Sequence, residues 1–351
     1  MATVERRTVQ FSAPGEIEVV SESIPPPAAN EVLVHTKCSA ISPGTERLIY
    51  EGKAPSNLAA DASIDALKGD DLSYPISYGY SSVGIVEEVG EEVDRAWQGA
   101  AVFGFQPHTS RFVSSPDSLV RLPEAVSHSD AVLIPSVETA VNFVMDGQPM
   151  IGEVVLVFGQ GVVGLLTTRL LSDHPLRSLV VVEPSAHRRG IAGSLGASVA
   201  VESVSELEDG TEESLSGSGE QNGSLSSFEG ADLVYEITGQ PSVLNEAIQQ
   251  TGFAGRLIVG SWYGTKRSPL DLGGHFHRSR IRIISSQVST IGPTHQGRWT
   301  KTRRMSVVLN LLNEVNPGQL ISDRFPIDEA PSVYDRLSAG HSMLQPIFEY
   351  E

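Results

Sequence analysis

Gly159, Gly161 and Gly164 stand in the spacing G-x-G-x-x-G, written out as GQGVVG. They follow an apolar run, VVLVF at 154–158, and open the helix-like stretch VVGLLTTRLL; a second apolar run, LVVVE, closes on Glu183. Each residue type has a use beside a pyrophosphate. Gly159 permits a tight turn off a strand, Gly161 places no side chain between the phosphates and the backbone N–H groups, and Gly164 lets the helix pack closely on the sheet. The phosphates then rest on the helix N-terminus, with Gln160, Val162 and Val163 completing the turn. Ordinary turns also produce such spacings, and 33 glycines supply many chances. A strand before the turn, a helix after it and an acidic residue about 20 positions on point instead to a dinucleotide site. Glu183 also bears on which dinucleotide. A carboxylate there accepts hydrogen bonds from a free ribose 2′-OH and repels a 2′-phosphate, which favours NAD over NADP. Arg188 and Arg189 lie close enough along the chain to oppose that preference, or to be solvated helix arginines.

The elements that must carry this turn are readable around it. Apolar runs continue as ASVA, DLVYEI, RLIVGSW and RIRIISSQ, with helical segments between most of them, the pattern of a doubly wound parallel sheet. Thr238, just past DLVYEI, and Ser261, near the end of RLIVGSW, are further candidate cofactor contacts, and Trp262 and Tyr263 are candidate substrate-facing aromatics. The first hundred residues read differently: TVQF, EIEVV, EVLVHT, SSVGIVEEVG and AAVFGF are short, β-branched and separated by Pro and Gly. Residues 126–147 carry helical spacing interrupted by Pro135. KTRRMSVVLNLLNEV and APSVYDRLSAG read as helices, and QPIFEY as a closing strand. From 202 to 230 the chain is rich in Ser, Gly and Glu and lacks Lys and Arg, which reads as a solvated surface segment or a docking site for a basic partner.

With 351 residues, two domains are the natural expectation. No run approaches the ~18 apolar residues of a membrane span, and MATVERRTVQ has no apolar signal core, so a soluble cytoplasmic protein is expected. The net charge of −18 argues against nucleic acid or an anionic membrane as partner. Five Lys against twenty Arg, on so acidic a chain, suit a protein living in concentrated salt, where screening suppresses self-repulsion; an ordinary acidic enzyme is the plainer reading. Cys38 is the only cysteine, which excludes intramolecular disulfides and any zinc site built from several cysteines.

The stretch APGEIEVVSESIPPPAANEVLVHTKCSAISPGTERLIYEG, then YPISYGYSSVGIVEEVG, RLPEAVSHSDAVLIP, the glycine turn and RFPIDEAPSVYDRLSAGHSMLQPIFEY together resemble the medium-chain dehydrogenases, the zinc-type alcohol and polyol dehydrogenases in particular. GTE, YGYSSVG and PHTSRF are most similar to the branch containing bacteriochlorophyllide hydroxyethyl dehydrogenase. The resemblance implies an α/β fold with a Rossmann doubly wound parallel sheet inserted in a GroES-like β-barrel catalytic domain. Residues 1–125 and 289–351 would form the catalytic domain and 126–288 the NAD-binding domain. It also implies an active site in a cleft between domains and a homodimer or homotetramer joined through the Rossmann sheet edge.

The departures from that pattern matter as much. The catalytic Cys of such enzymes falls here on Ser42 or Pro43, the GHE motif that carries their His and Glu on Gly79, Tyr80 and Ser81, and their further Cys or Glu near Pro135 or Ser136. None supplies the Cys, His, Asp or Glu that zinc needs, so no zinc is expected, unless Glu46, His108 and Glu138 improvise a site. Without a metal, side chains must polarise the substrate oxygen. The resemblance places Thr45 at the hydroxyl that relays the proton. Tyr80 stands where a zinc-binding His would be, with a phenol able to donate to a carbonyl oxygen. Glu46 could hold that network, act as base, or be a buried structural ion pair with an arginine. His108 is a further candidate acid or base, or a surface loop histidine. His275 and His277 have metal-like spacing but read as packing or solvent-facing residues, and Trp299 as substrate-facing or core. The expectation is a zinc-independent, NAD-dependent oxidoreductase interconverting a secondary alcohol and a ketone. An enone or quinone reductase and a catalytically inactive nucleotide-binding protein are the alternatives.

Overall fold

The runs VVLVF at 154–158 and SLVVV at 178–182, on either side of the glycine turn, are buried almost throughout, as a strand covered on both faces requires, whereas EIEVVSESI at 16–24 is mostly exposed or half-buried. The computed structural model describes residues 3–56, 64–67, 71–209, 230–340 and 343–351. In chain order the strands are β1 (Val4–Ala13), β2 (Glu16–Ile24), β3 (Val32–Ala40), β4 (Ile76–Ser77), β5 (Ser82–Val89), β6 (Ala101–Gly104), β7 (Arg111–Ser114), β8 (Leu119–Arg121), β9 (Val154–Phe158), β10 (Ser178–Val182), β11 (Val199–Val201), β12 (Ala231–Glu236), β13 (Thr251–Val259), β14 (Arg282–Ser285), β15 (Asp323–Pro326) and β16 (Pro346–Glu349). The helices are α1 (Thr45–Tyr50), α2 (His128–Ala131), α3 (Ile134–Gly147), α4 (Val162–Ser172), α5 (Ala186–Ser194), α6 (Ser205–Asp209), α7 (Val243–Gln249), α8 (His275–Arg278), α9 (Lys301–Val315) and α10 (Ala330–Ser338).

The chain divides into two units, Met1–Pro135 with Leu309–Glu351, and Ser136–Val308. In the first, β1 pairs with β2 and β4, while a seven-stranded sheet runs β15-β16-β3-β5-β6-β8 with β7 also paired to β3. This is the GroES-like unit. Its main core gathers Val9, Phe11, Ile49, Tyr334, Leu337 and Phe348 around α1 and α10, each large side chain contributing about 1.5–3 kcal/mol on burial. In the second unit all six strands are parallel in the order β11-β10-β9-β12-β13-β14, a Rossmann sheet. The turn after β9 therefore lies at the carboxyl end of the sheet where the strand order reverses, the position at which doubly wound folds bind ligands.

The unit boundaries fall at 135 and 308, not at 125 and 288. α2 belongs to the first unit because it packs on β3 and β5, and its Asp130 accepts from the Gly318 N–H at 2.8 Å. Residues 289–308 belong to the second because Arg304, fully buried, donates to Glu138 and Asn142 of α3. Pro135 falls in the first turn of α3, where a missing N–H costs nothing. The two- to four-residue strands β4, β7, β8 and β15 carry little pattern of their own and are held by their neighbours. Within the acidic segment, residues 205–209 form α6, and 210–229 lie outside the described residues. Among the described residues no helix is long and apolar enough to cross a membrane.

Candidate active site

In the second unit, α4 begins at Gly161, its N-cap, with extended backbone. An ideal Cβ on Gly164 would stand 2.1 Å from the Gly159 carbonyl oxygen, while one on Gly161 would meet nothing within 4 Å. Gly159 turns the chain at φ +91°, in the left-handed region. The cradle is thus closed where helix meets strand and open where phosphates approach the N–H groups. Beside it Glu183 is 7% exposed. Its Oε2 accepts from the Gln160 N–H at 2.8 Å and its Oε1 from the Ser185 N–H at 3.0 Å. Each oxygen retains acceptor capacity for a ribose hydroxyl. The Gln160 amide is buried, its Oε1 accepting from Thr168 at 3.0 Å and its Nε2 lacking a partner. Arg189 is committed to the Glu183 and Pro184 carbonyls at 2.7 and 2.8 Å and to Glu202 at 3.3 Å. Arg188 has a buried Nε with no hydrogen-bond partner. The open cradle and its adjoining carboxylate fit a dinucleotide.

Thr238 and Ser261 are brought together around a carboxylate that the sequence reading missed. Glu236 ends β12 fully buried. It accepts from the Thr238 N–H at 2.9 Å, from the Thr238 hydroxyl and from the Tyr263 phenol, while the Ser261 hydroxyl accepts from the Gly239 N–H at 2.8 Å. Burial first, then Glu236, holds the Tyr263 phenol well above its ordinary pKa. An acidic residue closing an apolar strand was the available signal, the same one that singled out Glu183. Trp262 beside it is 37% exposed.

In the first unit, Glu46 and His108 meet. Both are 0% exposed, and His108 Nε2 lies 3.0 Å from Glu46 Oε2. The same oxygen accepts from the Tyr334 phenol, and Oε1 accepts from the Ser42 N–H at 2.7 Å. On the far side of the ring, His108 Nδ1 lies 2.7 Å from the Ser39 hydroxyl, which lies 2.7 Å from the Tyr350 hydroxyl. Placing the imidazole proton on Nε2 satisfies every member: Tyr350 donates to Ser39, Ser39 to Nδ1, and Nε2 to Glu46. Burial, reinforced by Glu46, pushes the Tyr334 phenol well above its usual pKa, so it stays a donor. Glu46 is therefore a buried partner of a histidine and a tyrosine rather than of an arginine, and His108 is not a surface loop residue. No sequence signal pointed to Tyr334, Ser39 or Tyr350. Thr45 and Tyr80 are each half-buried, Thr45 as the first residue of α1 and Tyr80 edge-to-face on Tyr78 at 6.1 Å.

Within the second unit, Glu138 Oε1 accepts from Arg304 Nε and Nη2 at 3.0 and 2.9 Å. Among the described residues no group of three or more His, Cys, Asp or Glu could hold a metal ion. At the positions matching zinc ligands, Ser81 spends its hydroxyl on the Val132 carbonyl, and Ser42 lends its N–H to Glu46. His275 is bonded to the Thr251 carbonyl at 2.8 Å, and His277 is exposed. Trp299 is half-buried under the Arg303 guanidinium, 4.2 Å from its ring centre.

No protein-family model matches the chain. The chain is 23% identical over 320 residues to D-guloside 3-dehydrogenase of Escherichia coli (strain K12), covering 87% of this chain and 88% of that protein. Among solved structures, a dehydrogenase of Sinorhizobium meliloti 1021 bound to NADP superposes with a TM-score of 0.75 at 18% identity, over 99% of both chains. An alcohol dehydrogenase of Escherichia coli CFT073 complexed with NADH gives 0.74 at 19% identity, again over 99% of both. A Rossmann sheet carrying an open glycine cradle, a GroES-like unit, and dehydrogenases aligned along most of the length make this chain similar, in sequence and in fold, to the NAD(P)-dependent alcohol dehydrogenase-like oxidoreductases.

Proposed function

We propose that the chain interconverts a secondary alcohol and a ketone, uses NAD in preference to NADP, and does so without zinc. The observation that carries the cofactor reading is the Glu183 carboxylate, 7% exposed and anchored on the glycine turn through the Gln160 N–H. So held, it can accept from ribose hydroxyls, whereas a 2′-phosphate would meet a like charge. The bound nicotinamide supplies the acceptor and donor of hydride. The chain supplies the rest. The α4 N–H groups hold the pyrophosphate, Thr238 and Ser261 shape the ends of β12 and β13, and Thr45 and Tyr80 exchange the hydroxyl proton with the substrate oxygen. The missing zinc donors at Ser42, Pro43 and Gly79–Ser81 support the metal-free reading.

The test is a screen of secondary alcohols with NAD and of ketones with NADH, followed by nicotinamide absorbance, with metal analysis and chelator treatment alongside. Turnover that survives chelation, with zinc below one per chain, is expected. Stoichiometric, chelator-sensitive zinc would overturn the metal-free reading. Reduction of conjugated C=C bonds in place of alcohol turnover would identify an enone reductase, and binding without any turnover an inactive nucleotide-binding protein.

The same reading includes a homodimer or homotetramer joined through the β14 edge and an acidic surface suited to molar salt. Exposure of Phe253 (73%) and Ile283 (37%) near that edge supports the first, and the net charge of −18 the second. Light scattering and circular dichroism at low and molar salt check both. A monomer throughout, or a fold indifferent to salt, removes the respective part.

A further inference from the structure

The two turns that fail to supply zinc donors are joined by another device. One is Ser42–Glu46, which ends in Thr45 and Glu46; the other is Tyr78–Tyr80. Glu46 folds back on its own turn, its Oε1 accepting from the Ser42 N–H at 2.7 Å while its N–H donates to the Ser42 carbonyl at 2.9 Å. That pair of hydrogen bonds fixes the backbone immediately before Thr45. His108 does the corresponding work on the other turn. Its N–H donates to the Tyr78 carbonyl at 3.3 Å, and Gly79, at φ +127°, lies so close to the ring that an ideal Cβ would stand 3.0 Å from His108 Cδ2. The bond from His108 Nε2 to Glu46 Oε2 at 3.0 Å ties the two together. Tyr334 donates to Glu46 from behind, Ser39 and Tyr350 close the other side of the ring, and Phe348 packs edge-on against it at 5.1 Å.

We infer that the Glu46–His108 pair is a buried cross-brace that takes the mechanical place of the zinc, holding Thr45 and Tyr80 in fixed relation without touching substrate. The pair positions; Thr45 and Tyr80 exchange the proton. Their part in the reaction rests on the function proposed above, but the brace itself does not. Placement on buried, fully hydrogen-bonded supports is what a proton-exchanging group needs, since small displacements of such groups cost large factors in rate.

The experiment compares the parent with His108→Leu, which removes the ring donor, and His108→Gln, whose side-chain amide can still donate to Glu46. Glu46→Gln serves if His108→Leu fails to fold. Uniform 3-fluorotyrosine labelling, with the Tyr80 resonance assigned by Tyr80→Phe, reads the ordering of Tyr80 in the whole protein without needing a substrate. A single sharp Tyr80 line is expected in the parent and in His108→Gln, and a shifted or broadened one in His108→Leu; an unchanged line in His108→Leu overturns the brace. Once a substrate is in hand, His108→Leu is expected to lower kcat about 100-fold, with the NADH dissociation constant unchanged within about twofold. The loss should shrink to about threefold in a Tyr80→Phe background, because coupled residues are not additive. Independent, multiplying losses would reduce the pair to a stabilising element and overturn the inference. Absence of any alcohol turnover in the parent would count against the function and leave the fluorine result to decide the brace.

Discussion

The glycine turn of the second unit and the Glu46–His108 network of the first are both polar centres in well-packed units, yet they are satisfied in opposite ways. The turn is open. An ideal Cβ on Gly161 would meet nothing within 4 Å, the buried Gln160 Nε2 has no partner, and the first N–H groups of a helix are donors that no carbonyl of the same helix can satisfy. The network is closed, with Glu46, His108, Ser39, Tyr334 and Tyr350 satisfying one another and none of their atoms left over. An open centre is shaped to receive a ligand, and its parts are felt through binding. A closed one is shaped to hold its own surroundings still, and its parts are felt through rate.

That contrast can be broken most severely at Gly164. A Gly164→Val side chain would begin 2.1 Å from the Gly159 oxygen, so NADH affinity is expected to fall by more than about 100-fold, roughly 2.8 kcal/mol. Fluorescence titration checks this, and affinity within threefold of the parent would show that the turn is not the binding element. Next in size, Tyr80→Phe should lower kcat about 10- to 100-fold while NADH binding stays put, measured by steady-state kinetics beside the same titration. A matching loss of NADH affinity would erase the division between binding and rate. Glu183→Ala should reduce the preference for NADH over NADPH by about tenfold, ~1.4 kcal/mol; equal affinities in the parent would end the Glu183 argument.

The smallest effect concerns Cys38 at the edge of the closed unit. Burial pushes its thiol up to about 12, so the folded state favours the protonated form. Its contribution to stability is complete below the unfolded thiol's value and is lost as pH rises towards 12. Thiol reagents at pH 8 should therefore label the native protein far more slowly than the urea-unfolded one. Equal labelling rates would mean the unit is more open than its packing indicates.

The distances along the chain explain which features could be read from residue order. Gln160 and Glu183 are 23 residues apart and lie within one βαβ unit, whose apolar runs and glycine spacing are local patterns. The Rossmann strand succession followed from the same alternation. His108 and Glu46 are 62 residues apart, Tyr334 and Glu46 288, and Ser39 and Tyr350 311. Nothing in their neighbourhoods announces a partner, so Glu46 could be expected near an ion pair but not assigned one. Short strands such as β7 and β8 were missed for the same reason, since their pairing partners, rather than their few residues, hold them.

Residue order therefore determined the glycine turn, its acidic neighbour and the alternating strands and helices around them, because each depends on residue type at short spacing. Only the tertiary structure decided that Glu46 and His108 are buried together, that Glu138 is taken by Arg304, and that Thr238, Ser261 and Tyr263 gather on or beside Glu236. A buried polar side chain must be satisfied by whatever the fold brings within about 3 Å, and for distant partners that depends on the packing of whole sheets and helices.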